Sequence, residues 1–324
     1  MEDNTKEIIS EQETEISVIV PVIERHSNLE ELYLSYAAEI RKITTDFEFI
    51  FVVDGPMNRA YSEIKRFKNK YSNIELIKFT KSLGESNALS VGFEIAKGKY
   101  IFTLSSYFQV EPHEIEKLYS ALKDDEVDIV ITRRIREKDT FFNKLQNALF
   151  HKALKFFTGT NFKDISCGLR GMQREVFEKF DVYGDLHRFI PIIAEHHGVK
   201  VRELVVKQRV EDTKTRIYSL RTYFNRIIDI LTLFFLLRFT YRPMRFFGLI
   251  GSILVVTGFL FISKLIYFRL FTMNYGLRDK PSLFLSSLLI VIGIQIFAVG
   301  LIGEIIIYTR SKKAKYFNIK EFIE

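Results

Sequence analysis

Two long uncharged stretches in the last third of the sequence constrain this chain more than any other feature. Phe246–Ser263 is 18 uncharged, mostly apolar residues between Arg245 and Lys264, and Pro281–Gly303 is 23 uncharged residues between Lys280 and Glu304. A helix needs roughly 17–25 predominantly apolar residues to cross a bilayer. Both runs meet that length and both end in charge, which disfavours a pair of buried core helices. With a short connection at 269–280, they predict a two-helix transmembrane hairpin within 246–308, with spans over about 246–267 and 281–303. Segment 216–245 carries six Arg and one acid, Asp229, around an apolar stretch at 230–237. That combination predicts interfacial amphipathic helices. The basic tail, 309–324, has five bases against two acids. Basic residues outside both spans predict that both termini are cytoplasmic.

Upstream the pattern is different. Short apolar runs at 16–22 (ISVIVPV) and 48–53 (FEFIFVV) flank a helical spacing over 28–43, through Leu29, Leu32, Tyr33, Tyr36 and Ile40. The pattern repeats. A helix at 59–69 leads to a strand at 74–79, 84–96 to 99–104, and 112–122 to 127–132. Further helices are expected at 139–158 and 183–197, and a strand at 199–206. Continuous apolar strands alternating with helices predict a parallel sheet buried on both faces. The fold class is therefore α/β, a Rossmann-type parallel-sheet domain over 16–215. Ligands of such sheets bind beyond the C-terminal strand ends, here near Pro21, Asp54, Lys81 and Ser105.

Charge and cysteine content narrow the function. The net charge is +7, but residues 1–15 hold six acids and one base, so the other 309 residues carry about +12. The first fifteen residues lack apolar periodicity and read as a flexible acidic tail with no signal peptide, which leaves the α/β domain in the cytoplasm. The single Cys, Cys167, excludes a disulfide framework and a Cys-based zinc site. A basic body seeks an anionic partner. Most of the excess flanks the apolar runs, which favours anionic membrane lipid. No nucleic-acid-binding motif is present, so nucleic acid is not an expected partner.

The order of motifs resembles the family-2 (GT-A fold) glycosyltransferases that act on polyprenyl phosphates, of the dolichyl-phosphate mannose synthase and bactoprenol glucosyltransferase type. ISVIVPV opens the first strand, and VVDGP (52–56) stands where that family ends a strand in two Asp and a Gly. SLGESNALSVGFEIAKGKYIFTL (82–104) is similar to its helix and following strand, and KDISCGLRGMQREVF (163–177) to its Asp-x-x-Cys-Gly-Phe-Arg segment. LHRFIP (186–191), RPMRFFGLIG (242–251) and GIQIFAVGLIGEI (293–305) complete a match over about 16–320. The resemblance implies inverting transfer of a sugar from a nucleotide-sugar to a polyprenyl phosphate such as undecaprenyl or dolichyl phosphate, on the cytoplasmic face, for cell-surface glycan synthesis. It implies Asp164, Arg134 and Gln109 as catalytic residues and Pro21, Glu24, Asp54, Lys81, Ser105 and Tyr107 around the donor. Lys144, Asn147, Arg170 and Arg209 would hold the acceptor phosphate.

The sequence departs from that family on the donor side. Where the family has two acids one residue apart, followed by a Leu-Gln, this chain has Ser105 and Tyr107, with Gln109 retained. The family implies Mg²⁺ or Mn²⁺, but a hydroxyl and a phenol are poor ligands for such ions. The family's Asn-Glu reads Glu24-Arg25, one of its paired Asp reads Val53, and its Arg-Asn reads Lys81-Ser82. Two readings follow: an active transferase whose leaving-group charge is compensated differently, or a catalytically inactive relative that binds a lipid phosphate or a partner membrane protein. Homo-oligomerisation stays open.

Overall fold

The computed structural model describes residues 14–23, 26, 28–124, 126–135, 152, 154, 155, 158–160, 162–177, 189–209, 212, 228, 231–235, 243–271 and 281–311. The chain divides into two compact units, Met1–Leu233 and Phe234–Glu324.

In the first unit β1 (Ile16–Val22), α1 (Leu29–Ile40), β2 (Phe47–Val53), α2 (Asn58–Lys68), β3 (Ile74–Lys78), α3 (Glu85–Ile95), β4 (Tyr100–Thr103), α4 (Glu114–Leu122) and β5 (Ile129–Arg134) follow the expected alternation within a few residues. After β5 come β6 (Arg170–Gln173), the short α5 (Arg174–Phe177), α6 (Ile190–His196) and β7 (Val201–Val206). The seven strands form one sheet in the order β3-β2-β1-β4-β6-β5-β7. Pairings β1–β2, β1–β4, β2–β3 and β5–β7 are parallel, but β6 runs antiparallel to both β4 and β5. The sheet is thus mixed rather than all parallel, and part of the 163–177 segment is an inserted strand. RGMQ has neither alternation nor β-branched residues. Its strand conformation comes from lodging between two ladders.

Both faces of the sheet are covered, which explains the continuous apolar strands. Ile16, Val18, Val20 and Val22 of β1 and the Phe residues 47, 49 and 51 of β2 pack with α1, α2 and α4. Ile19, Ile50, Val52 and Ile101 pack on the other side with Ala88, Leu89 and Phe93 of α3 and with Ala194 of α6. Because β6 starts at Arg170, paired with Thr103 and Ile131, its beginning lies at the same edge as the ends of β2, β4 and β5. This edge gathers Asp54, Ser105–Gln109, Arg134 and the 164–170 segment.

The second unit contains α7 (Pro243–Phe271) and α8 (Pro281–Ser311), each long and apolar enough to cross a membrane. Both extend past the uncharged runs. Lys264 does not end α7, since a helix ladder continues through a Lys whose ammonium can reach outward. The helices run antiparallel: Gly258 of α7 faces Ser286 and Ile290, while Gly251 faces Gly293 and Phe297. Most of the predicted helix at 139–158, residues 183–188 of the next one, and most of 216–245 fall outside the described residues.

Candidate functional site

Asp54 stands one residue beyond β2, buried, and its carboxylate accepts three hydrogen bonds from the loop before α3. Ser82 Oγ donates to Oδ2 at 2.5 Å, Leu83 N–H to Oδ1 at 2.7 Å and Gly84 N–H to Oδ2 at 3.2 Å. Gly55 makes the approach fit: a Cβ there would lie 2.8 Å from Ser82 N, and its φ of +70° suits glycine. Asp54 therefore fastens the β3–α3 loop to the end of β2. Lys81 is carried on this loop, exposed, and forms no ion pair among the described residues. Next to Asp54, His26 and residues 56–60 line an open cleft of about 400 Å³. Pro21 lies within β1, one residue past Val20 and buried. Pairing with β4 ends at Ile19↔Thr103, so the N–H that proline lacks falls beyond that ladder.

At the end of β4 the chain turns through Ser105–Gln109. Gln109 is buried, and its amide is engaged at both ends. Gly168 N–H donates to Oε1 at 2.7 Å, and Nε2 donates to the Tyr107 hydroxyl at 2.7 Å. The amide orientation follows from Gly168, whose N–H can only donate. Ser105 sits against the same glycine, where a Cβ at 168 would collide with Ser105 Oγ. Thr103 Oγ1 donates to Gly168 carbonyl at 2.7 Å, and Thr132 Oγ1 to Leu169 carbonyl at 2.7 Å. The segment after β7 is tied to the same turn: Arg209 N–H donates to Gln109 carbonyl at 3.1 Å. The Arg209 guanidinium lies 3.9 Å from the centre of the Phe108 ring.

Arg134 closes β5 and is buried. Its Nε donates to Asp164 Oδ2 at 2.8 Å, Nη2 to Asp164 Oδ1 at 3.1 Å and Nη1 to Asp212 Oδ2 at 2.9 Å. Nη2 also donates to Ser166 Oγ at 2.8 Å. Burial opposes the guanidinium charge, but the surrounding Cys167 sulfur and the Asp164 and Asp212 carboxylates outweigh it and hold its pKa above the ordinary arginine value. Arg170, also buried, donates from Nε to the Cys167 carbonyl at 3.1 Å and from Nη2 to the Ile165 carbonyl at 2.8 Å. The Cys167 thiol between them is pushed up by burial, although Arg134 works the other way.

Of the residues expected from the sequence, Asp54, Ser105, Tyr107, Gln109, Arg134, Asp164, Arg170 and Arg209 come together at this edge. Glu24, Arg25, Lys144 and Asn147 lie outside the described residues. Sequence reasoning missed Asp212 and the hydroxyls of Thr103, Thr132 and Ser166. Asp212 gave only a faint signal, an acid three residues after Arg209 in a basic stretch.

The profile of Glycosyl transferase family 2 matches residues 17–181, just over half of the chain. The chain belongs to glycosyl transferase family 2. It is 28% identical over 297 residues to the undecaprenyl-phosphate 4-deoxy-4-formamido-L-arabinose transferase of Photorhabdus laumondii, covering 91% of this chain and 90% of that one. The enzyme of that name from Enterobacter sp. (strain 638) is 29% identical over 306 residues, with 93% and 92% covered. The dodecaprenyl-phosphate galacturonate synthase of Rhizobium johnstonii is 24% identical over 304 residues, with 92% and 89% covered. Among solved structures, Mycobacterium tuberculosis glucosyl-3-phosphoglycerate synthase with phosphoglyceric acid has a TM-score of 0.52 at 12% identity, covering 69% of this chain and 80% of that one. The same enzyme with Mn²⁺, uridine diphosphate and phosphoglyceric acid also scores 0.52 at 12% identity, with 69% and 78% covered. These likenesses support the GT-A-like fold. Of the two readings the sequence left open, membership of this transferase family supports the enzyme.

The divalent cation expected in such a family 2 site does not fit the described residues of this edge. Ser105 and Tyr107 offer a hydroxyl and a phenol rather than carboxylates, the Gln109 oxygen accepts from Gly168 N–H, and the Asp54 carboxylate accepts from residues 82–84. Asp164 and Asp212 are held by Arg134. No cluster of three or more His, Cys, Asp or Glu side chains suited to a metal occurs among the described residues.

Proposed function

We propose that this family 2 enzyme transfers a sugar from a nucleotide-sugar to a polyprenyl phosphate at the cytoplasmic face of a membrane. One observation carries the reading. The likeness to the undecaprenyl-phosphate sugar transferase of Photorhabdus laumondii runs over 91% of the chain, too much to exclude the two apolar helices. In this reading α7 and α8 cross the membrane, and both termini are cytoplasmic because the flanking Arg and Lys lie outside both spans. The hairpin keeps the enzyme in the bilayer that contains its lipid acceptor.

The chemistry follows from the reactants. A phosphate oxygen of the acceptor attacks the anomeric carbon. The new C–O bond forms as the bond to the leaving nucleoside diphosphate breaks, and the diphosphate departs with the electron pair. Attack from the opposite side inverts the anomeric centre. The acceptor is already anionic near neutral pH, so a strong general base is not required. The protein must hold the two anions in line. The cleft beside Asp54, bounded by His26 and residues 56–60, suits the nucleoside. Arg209, with Lys144 and Asn147, suits the acceptor phosphate, through charge-assisted hydrogen bonds. The buried Arg134–Asp164–Asp212 group fixes the end of β5 at this strand edge.

The test is to incubate detergent-purified protein with labelled undecaprenyl phosphate and a panel of nucleotide-sugars. A new glycolipid, formed with one donor of the panel and dependent on both substrates, is expected. Failure to form glycolipid with any donor, together with failure to bind undecaprenyl phosphate, would defeat the proposal.

A further inference from the structure

We propose that this chain holds the diphosphate of its donor without a divalent cation and uses the Lys81 ammonium in its place. The inference rests on the transferase reading and concerns the same strand edge.

The end of β4 is a neutral hydrogen-bonded staple. A metal ligand needs an oxygen lone pair aimed outward, and hard divalent ions favour carboxylates. Ser105 is packed against Gly168, and the Tyr107 hydroxyl accepts from Gln109 Nε2. The Gln109 oxygen accepts from Gly168 N–H. Turning the Gln109 amide to offer its oxygen elsewhere would place an NH₂ against the Gly168 N–H, two donors facing each other in a partly buried place. The turn 105–109 is thereby fixed to the turn 167–168, with the Gln109 amide engaged at both ends.

Charge on a departing diphosphate still requires compensation. Asp54 spends its carboxylate on fastening residues 82–84, and the adjacent Lys81 remains exposed with no ion pair among the described residues. A lysine on a fastened loop offers a mobile point charge with three donors. The carboxylate at this strand end thus positions a cation of the protein itself, where a metal site would have spent the carboxylate on the ion.

The experiment uses the full chain in detergent. Affinity for nucleotide-sugars is titrated calorimetrically with EDTA or with Mn²⁺, for the wild type and for Lys81→Gln. The expected result is binding of one donor with less than about threefold difference between EDTA and Mn²⁺, and about tenfold or more weaker binding by Lys81→Gln in EDTA. Binding lost in EDTA and restored by Mn²⁺ would overturn the proposal, and so would unchanged binding by Lys81→Gln. Electron paramagnetic resonance of Mn²⁺ with equimolar protein reads the metal without a donor. An undiminished free-ion signal supports the proposal, and a stoichiometric loss overturns it. If no donor binds under either condition, the transferase reading fails, while the resonance measurement still decides the metal.

Discussion

Arg134 grips Asp164 with two of its nitrogens, Nε to Oδ2 at 2.8 Å and Nη2 to Oδ1 at 3.1 Å, in a place where both side chains are almost fully buried. Its remaining Nη1 holds Asp212. The family resemblance made Arg134 a candidate catalytic residue; its geometry also makes it the hub of a buried network. Removing it leaves two carboxylates without their cation. Arg134→Ala is expected to lower stability by ~3–5 kcal/mol. Arg134→Lys should recover part of this, since a lysine keeps the charge but not the fork. Thermal melting of the α/β unit within the full chain checks this. An unchanged melting temperature for Arg134→Ala would show that the network contributes nothing to stability.

Asp54 has a comparable structural task at the β2 end of the same strand edge. Asp54→Asn keeps one acceptor oxygen, but its NH₂ then faces either the backbone N–H of Leu83 or that of Gly84. The expected cost is about 1–3 kcal/mol, concentrated in local opening of residues 82–84. Hydrogen exchange should show faster exchange at Leu83 and Gly84, with β1 and β2 unaffected. Protection unchanged at these two amides would rule out the fastening role.

The elements and the edge were legible in the sequence to different degrees. Strands β1, β2 and β5 announce themselves because both faces of each are covered, so their apolar runs are broken only by Ser17, by Glu48 and by Thr132, Arg133 and Arg134 at the end of β5. The helices α1 and α4 show through Leu32, Tyr36, Ile115 and Leu118 at helical spacing. β6 stayed invisible because Arg170–Gln173 becomes a strand only between β4 and β5, so its signal is tertiary. The strand-end rule located Asp54 and Ser105 correctly at the edge. What each side chain does there was not legible, since the partners are distant in sequence. Gln109 meets Gly168, 59 residues on, and Arg134 meets Asp212, 78 residues on. Asp54 read as a donor contact, and only the positions of Ser82, Leu83 and Gly84 reveal that its carboxylate fastens the loop.

Cys167 allows a clean probe, being the single cysteine in the chain. Burial raises its thiol pKa, partly opposed by Arg134, so the native protein should resist thiol reagents at pH 8 while the denatured protein reacts fully. The linkage sign follows. The unfolded thiol loses its proton near pH 8.5 while the folded one keeps it, so stability is full below that pH and falls as pH rises above it. Cys167→Ala should flatten this decline. Labelling of the native protein as fast as that of the denatured protein would contradict the burial.

The hairpin offers the last test. Besides Pro243 and Gly248 near the start of α7, the buried positions are spaced by seven residues, at Gly251, Gly258 and Leu265 on α7 and at Ser286, Gly293 and Gly300 on α8. Small side chains let the backbones approach where apolar burial supplies no drive between helices in lipid. A Cβ at Gly258 would lie 2.6 Å from Ile290 Cγ1 and 2.8 Å from the Ser286 carbonyl. A leucine there must push the helices apart or break off. Gly258→Leu is expected to destabilise the hairpin by ~1–3 kcal/mol, whereas Leu260→Ala, at a position 65% exposed, should have little effect. Unfolding of the full chain in detergent, followed by helical circular dichroism and by protease resistance of the hairpin, separates the two variants. Equal behaviour of Gly258→Leu and Leu260→Ala would mean that the seam is not where these helices meet.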